Sequence, residues 1–362
     1  SELTEVMRVS NGNKIIDVAT AARKAQQTDL IIKHGDVAMS GYARRSSFNE
    51  IGGGFYVGEA GRANAVKSFI DKFFKSKLFV SDPTYAKIIA YRNVSVDAYN
   101  DMVRSALGKT GIVEVGESLI GQDNLYASTP GGGKRPLLLN GDEYTVVGVG
   151  EQEIIYSDAV PGVEIPVVRI DITTDSSDSA GGSFYLLSDY SDEKMNEIQG
   201  AILQKQADIS RMYMDDKYML KRARAIFYSS LRSDFVTLKN ISNPNKLTEN
   251  DSDSLKQRML RHGYAITTHK SQGSEFNNIL VDDSDIRRMS GNLDDIFYKK
   301  ALYTAITRAK DRAIIITNGD RYDSATVTKI PANEQNEIPS IMLNNDLLEQ
   351  MASSEIRPSD NC

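Results

Sequence analysis

The segment Thr267-Thr268-His269-Lys270-Ser271-Gln272-Gly273-Ser274-Glu275-Phe276 packs hydroxyls, an imidazole, an amide and a carboxylate into one short stretch, and Tyr303-Thr304-Ala305-Ile306-Thr307-Arg308-Ala309-Lys310-Asp311 follows soon after it. Small donors that end on a glycine suit phosphate oxygens. The run Tyr264-Ala265-Ile266-Thr267 predicts a strand, which places these donors at a strand C-terminal end, where open α/β sheets bind ligands. Taken singly, each residue reads better as structural, and His269 alone would be a capping or core histidine. The combination of the two segments is hard to explain as packing.

Other chemistry-bearing patterns are weaker. Gly108-Lys109-Thr110 and Gly131-Gly132-Gly133-Lys134 imitate phosphate loops, but a P-loop needs an earlier glycine where Val103 and Ser128 stand. Lys134 is also followed by Arg135 instead of Ser or Thr, and Gly108 ends a predicted helix. Three scattered histidines (His34, His262, His269) and one cysteine, Cys362, offer no zinc-site spacing, so no metal site is expected in this chain. Lys217-Tyr218, Lys221-Arg222, Arg224, Phe227-Tyr228 and Arg232 interleave cations with aromatics. That mixture suits a nucleic-acid strand held by phosphate pairing and base stacking, and equally a helix with one solvated face.

The elements that must position these groups alternate between two patterns. Helical spacing predicts helices over Ile15–Arg23 and Asn64–Ser76, the latter with Val66, Phe69, Ile70, Phe73 and Phe74 on its apolar face. Residues 40–61 read as a loop holding one short strand, with Gly52-Gly53-Gly54 as a breaker. Lys87–Tyr91 predicts a buried strand, followed by Asn93 and a helix from Val96 to Leu107.

From residue 109 the runs Ile112–Val115, Leu137–Leu139, Tyr144–Val149, Ile154–Tyr156 and Val167–Ile172 predict short strands, with Asn140-Gly141 as a hairpin turn. Ser191–Leu231 returns to helical spacing, with Met195, Ile198, Ile202, Ile209 and Met212 on one stripe, and Asn240–Ser254 reads as a polar linker. Asn278–Val281 and Ala313–Thr317 predict buried strands flanking a helix over Phe297–Arg308. The resulting expectation is one α/β domain, from residues 1–108 and 255–320, interrupted by a mostly β insertion with a helical arm over 109–254. A polar tail occupies 321–362.

The chain has 362 residues, 40% of them hydrophobic and 25% charged, with a formal charge of −6. That charge excludes bulk attraction to nucleic acid but leaves room for a local basic groove. No apolar run approaches a membrane span, and the scarcity of cysteine fits a reducing, cytoplasmic setting. The opening Ser1-Glu2-Leu3 reads as a processed product or a segment of something longer.

The two chemistry-bearing segments resemble motifs V and VI of superfamily 1 helicases, and Leu3-Thr4-Glu5-Val6-Met7-Arg8 resembles the stretch holding the motif IV arginine. Order and spacing are most similar to the superfamily 1B branch that includes Dda-like and RecD-type DNA helicases, over about residues 1–320, with low similarity in the insertion. The resemblance implies a RecA-like parallel-sheet domain (2A) interrupted by an SH3-like insertion (2B) with a helical arm. It implies that Arg8 and Arg308 reach the γ-phosphate of ATP as arginine fingers. Glu275 would contact the ribose, and Gln272 and Gly273 would couple nucleotide to DNA. Asn93, Thr267, Thr268 and His269 would touch the single-stranded DNA backbone.

Arg8 on its own reads as a surface ion pair with Glu5 or Asp17. The P-loop and the Mg²⁺ ligands are expected in an N-terminal RecA-like domain supplied in cis or in trans, so this chain alone is expected to bind ATP poorly and not to unwind DNA. The resemblance implies 5′ to 3′ travel. A non-catalytic nucleic-acid-binding module is the alternative, and RNA is a possible substrate chemically.

Overall fold

The computed structural model describes Ile15, Ala19 and residues 53–57, 59–128, 132–175, 181–239, 241, 258–288 and 296–316. The chain divides into two units, switching at Gly108/Lys109 and again at Gly263/Tyr264. Of the first predicted helix, Ile15 and Ala19 are helical and buried; the rest of that stretch lies outside the described residues, as do Arg8, most of the predicted linker and the tail.

The first unit opens with β1 (Gly53–Val57) and α1 (Glu59–Phe69), which runs on into one π-helical turn, Ile70–Phe74. Its predicted apolar face is buried throughout, and Phe69 meets Phe73 and Phe74 with ring centroids 4.9 and 5.8 Å apart. Each such phenyl contributes about 1.5–3 kcal/mol by leaving water. A short helix α2 (Lys77–Ser81) follows, then β2 (Ala86–Ala90), buried at every position as a strand covered on both faces must be. In α3 (Asn93–Ala106), Val96, Tyr99, Asn100 and Val103 fall on one stripe and are buried.

The second unit is antiparallel. Its strands are β3 (Ser118–Gly121), β4 (Leu125–Ser128), β5 (Lys134–Leu138), β6 (Glu143–Ser157), β7 (Val160–Thr173), β8 (Gly182–Leu187) and β9 (Leu260–His262). Five form a sheet in the order β8-β7-β6-β3-β9, while β4 and β5 pair separately. Two helices, α4 (Asp192–Met212) and α5 (Lys217–Asp234), follow β8. β9 lies in this sheet, past the 254/255 boundary drawn from the sequence.

Several local expectations are corrected here. Ile112–Val115 forms turns, with Val113 inserted into the core between Gly111 and Gly116. The runs Tyr144–Val149 and Ile154–Tyr156 are one strand, whose register shifts absorb Val147 and Gly150-Glu151. Asn140-Gly141 is a turn, with Gly141 at φ +98°, but β5 pairs with β4 and β6 with β3, so it joins two sheets. The two-residue hairpin of this unit is Asp158-Ala159, flanked by the Ser157 and Val160 pair. On α4, Ile198 and Ile202 are buried, whereas Met212 is 72% exposed, because the core ends before it.

The chain re-enters the first unit as β10 (Ala265–Thr267), β11 (Phe276–Asp282), α6 (Asp283–Arg287), α7 (Ile296–Ile306) and β12 (Ala309–Ile316). All pairings in the order β1-β12-β11-β2-β10 are parallel. The glycine breaker at Gly53-Gly54 is the start of β1; at a sheet edge, a strand tolerates residues that pack no side chain. The architecture is thus α/β with a parallel sheet, interrupted by an antiparallel β insertion carrying two helices. No helix among the described residues is long and apolar enough to cross a membrane.

Candidate nucleic-acid and phosphate sites

Register places the two halves of the Thr267–Phe276 segment at opposite edges of the parallel sheet. Thr267 is level with Ala90, and Val281 with Ile89, so Thr267, Ala90 and Asp282 mark the C-terminal edge. Phe276, level with Ala309, opens β11 at the N-terminal edge. At the rise of a strand those edges are about 20 Å apart. The segment between therefore crosses the sheet. It does so in tight turns, Ser271 N donating to Thr267 O (3.0 Å) and Ser274 N to Ser271 O (3.1 Å). Gly273 takes φ +89°, which a side chain would disfavour.

At the C-terminal edge a pocket of ≈ 400 Å³ is lined by Tyr91, Thr268, His269, Gln272, Phe297, Lys300, Ala301 and Thr304. Thr268 is buried and donates from both N and Oγ1 to Ala90 O, at 2.8 and 3.2 Å, which fixes the loop against the end of β2. His269 is exposed and its ring lies 5.5 Å from that of Tyr91, tilted by 54°. On α7, positions 297, 300, 301 and 304 share one face by helical spacing, while Tyr298, Leu302, Ala305 and Ile306 are buried on the other. Phe297 is 64% exposed. An exposed phenyl, a lysine and an imidazole–phenol pair around one depression suit a base and its phosphate.

Three aspartates fix the two sides of this pocket. Asp285, 3% exposed, accepts from Tyr91 N (2.7 Å), Arg92 N (2.8 Å), Arg92 Nε (2.6 Å) and Ser95 Oγ (2.6 Å). It thus holds the β2–α3 turn that carries Tyr91. Asp283 accepts from Tyr298 Oη (2.6 Å) and Arg287 Nε (2.7 Å), anchoring α7. Asp282 accepts from Tyr99 Oη (2.7 Å) on α3.

Glu275 and Arg308 sit together at the opposite edge. Arg308 is 5% exposed; its Nη1 donates to Ser274 O (3.1 Å), Nε to Thr304 O (3.0 Å) and Nη2 to Thr307 Oγ1 (3.1 Å). Its carbonyl accepts from Phe276 N (2.8 Å). Glu275, a third exposed, pairs with Lys310 at 3.4 Å.

Of the residues expected from sequence, Thr268, His269 and Gln272 line the pocket, and Glu275 and Arg308 adjoin each other at the far edge. Thr267 is buried, its Oγ1 accepting from Lys270 N (3.3 Å). Asn93 is exposed at the start of α3, two residues from Tyr91, but does not line the pocket. Tyr91, Phe297 and Lys300 escaped the sequence reading, and Thr304 stood in the second segment without a role of its own. The helical repeat of Phe297, Lys300 and Thr304 was the available signal. Asp282 and Asp285 gave none, since the Tyr99, Tyr91, Arg92 and Ser95 groups they bind lie more than 180 residues away in sequence.

This end thus brings together a guanidinium whose Nε, Nη1 and Nη2 all donate within the protein and a carboxylate paired with Lys310. Among the described residues no group of three His, Cys, Asp or Glu side chains is arranged to hold a metal ion.

A 60-residue stretch is 43% identical to an uncharacterized protein of Methanocaldococcus jannaschii, covering 17% of this chain and 5% of that one. Similar solved structures include the Bacteroides Pif1 helicase in complex with ADP-AlF3 and ssDNA, at 13% identity and TM-score 0.30, covering 88% of this chain and 52% of that one. The Candida albicans Pif1 helicase matches at 11% identity and TM-score 0.30, covering 92% and 59%. The chain therefore spans little more than half the length of these helicases and a small part of the archaeal protein. Residues 262–316, which hold both the edge-crossing segment and Arg308, match the UvrD-like helicase C-terminal domain.

Proposed function

We propose that this chain is the second motor domain of an ATP-dependent helicase that moves on single-stranded DNA, travelling 5′ to 3′. The observation that carries the reading is the edge-crossing segment within the helicase-like region: Thr268, His269 and Gln272 lie at a pocket suited to a nucleotide strand, and Glu275 lies beside Arg308 about one strand length away. One short covalent segment thus connects a strand-binding edge to a phosphate-sensing edge, as a motor requires.

In this reading His269, Tyr91 and Phe297 stack on bases, Lys300 faces phosphates, and Thr267 and Thr268 set the loop along the strand backbone. Glu275 takes a ribose hydroxyl. Arg308 exchanges its three protein acceptors for phosphate oxygens when a P-loop domain, in cis or in trans, closes against this edge. ATP and Mg²⁺ supply the phosphoryl-transfer chemistry, with the metal ligands on that other domain. Arg8 is proposed as a second arginine at the same phosphate, and Asn93 as a backbone contact beside Tyr91.

The test is DNA-stimulated ATP hydrolysis by this chain alone, by this chain mixed with a P-loop partner, and by a longer protein restoring upstream sequence. Hydrolysis only when a P-loop domain is present supports the proposal. Robust hydrolysis by this chain alone overturns it, and an inactive longer protein that still binds single strands returns the accessory-module reading.

A further inference from the structure

The helices α4 and α5 form an arm on the insertion. Their proximal parts are anchored in its core by Ile198, Ile202, Phe227 and Leu231. No residue from 203 to 226 is buried, so the distal half of the arm projects. On that half Lys217, Lys221, Arg222 and Arg224 are exposed, and the sequence places no Asp or Glu between Lys217 and Ser233. The nearest carboxylates are engaged or terminal: Asp216 caps α5, accepting from Tyr218 N (3.1 Å) and Met219 N (2.9 Å), Asp208 pairs with Arg211, and Asp215 sits at the tip.

We propose that this exposed face of α5 is a docking surface for the phosphate backbone of double-stranded nucleic acid. The choice of a nucleic acid over another polyanion rests on the motor reading above. The choice of duplex over single strand rests on the aromatics. Phe227 is buried, and Tyr228 packs on Phe227 with its hydroxyl hydrogen-bonded to Gln206. Tyr218 is the exposed ring on the helix. A face with fixed cations and one free ring cannot stack a run of splayed bases, but it matches a backbone whose bases are already stacked on each other.

Geometry agrees. Lys217, Lys221 and Arg224 follow i, i+4, i+7 spacing, and the rise of a helix sets them over about 10 Å, the axial length of about three phosphates on one strand. Arg224 is steadied by Ser210, to whose Oγ it donates at 3.0 Å. Arg232 belongs to the anchored end, paired with Asp123 at 2.8 Å.

The experiment measures binding of the full chain to a blunt DNA duplex and to oligo-dT across a salt series, for the wild type and a Lys217→Ala/Lys221→Ala/Arg224→Ala variant. These side chains are exposed, so the fold is kept. The variant is expected to lose duplex affinity at least about ten-fold and to reduce the log–log salt slope by about 2–3, with oligo-dT affinity held within about two-fold. Wild-type failure to bind duplex, an unchanged variant, or equal loss of both probes would overturn the proposal. A protein that binds duplex through α5 but does not bind oligo-dT would sink the single-strand motor reading and leave this one standing.

Discussion

Arg308 and Ser274 lock the end of the edge-crossing segment: the Arg308 guanidinium donates to the Ser274 carbonyl at 3.1 Å, beside the backbone bond from Phe276 N to Arg308 O at 2.8 Å. Arg308, proposed above to meet a phosphate, is therefore also the clasp of the loop that carries Glu275. Any displacement of Arg308 toward a ligand pulls on that loop.

Arg308→Ala and Arg308→Lys test this double role. In the complete motor both are expected to lower ATP hydrolysis by about a thousand-fold or more, the usual worth of an arginine finger. Oligo-dT binding should survive in both. Arg308→Ala also removes the side-chain donor to the part-buried Ser274 carbonyl and should cost about 1 kcal/mol in urea unfolding. Wild-type hydrolysis by either variant would remove Arg308 from the phosphate site.

Phe297 offers the cleanest test of the pocket, because its ring is 64% exposed. Phe297→Ala should weaken oligo-dT binding by about 1–3 kcal/mol, the worth of one base–aromatic stack. Thermal stability should stay within about 0.5 kcal/mol. Phe297→Trp should restore affinity. Anisotropy titrations that show no change for alanine would place the strand elsewhere.

Asp285 is predicted to act through the residues it holds. Asp285→Ala leaves two backbone N–H groups, Ser95 and Arg92 without their acceptor and should destabilise the protein by about 2–4 kcal/mol, the lower end applying because Arg92 is partly solvated. Oligo-dT affinity should fall in parallel as Tyr91 loses its position. Asp285→Asn, retaining one acceptor, should be intermediate in both measurements. Strand affinity that is indifferent to Asp285 would make its role structural alone.

In the insertion, burial raises the Tyr190 phenol above its ordinary value, only partly opposed by the Leu238 N–H that its oxygen accepts at 2.8 Å and by Arg258. The folded state therefore keeps its proton after the unfolded chain has lost it. The contribution to stability is complete below about pH 10, the ordinary tyrosine value, and declines as pH rises from there toward the folded value. Tyr190→Phe should lose about 1–3 kcal/mol at neutral pH, because Leu238 N–H loses its acceptor, and should flatten the alkaline decline. Unfolding curves at several alkaline pH values would expose an unaltered slope, which would exclude Tyr190 as its source.

The sequence by itself determined the local features. Apolar runs such as Ile88–Ala90 and Ala313–Ile316 are strands because a strand covered on both faces is largely apolar, and Val96, Tyr99 and Val103 repeat at helical spacing because one face of α3 is buried. It also singled out Thr268, His269, Gln272, Glu275 and Arg308, whose types and clustering no packing requirement explains. Pairing was not legible. Asn140-Gly141 specifies a turn but not which strands meet across it, since strand partners are chosen by long-range burial and register.

Only the tertiary structure placed the two halves of the contiguous segment Thr267–Phe276 at opposite ends of the sheet, because a parallel sheet forces the chain to cross from one edge to the other before the next strand begins. Only the fold brought Tyr91 and Phe297 to His269, and Asp285 to Tyr91 and Arg92. Those contacts join residues far apart in the chain, and nothing in local composition encodes which distant backbone N–H a buried carboxylate will satisfy.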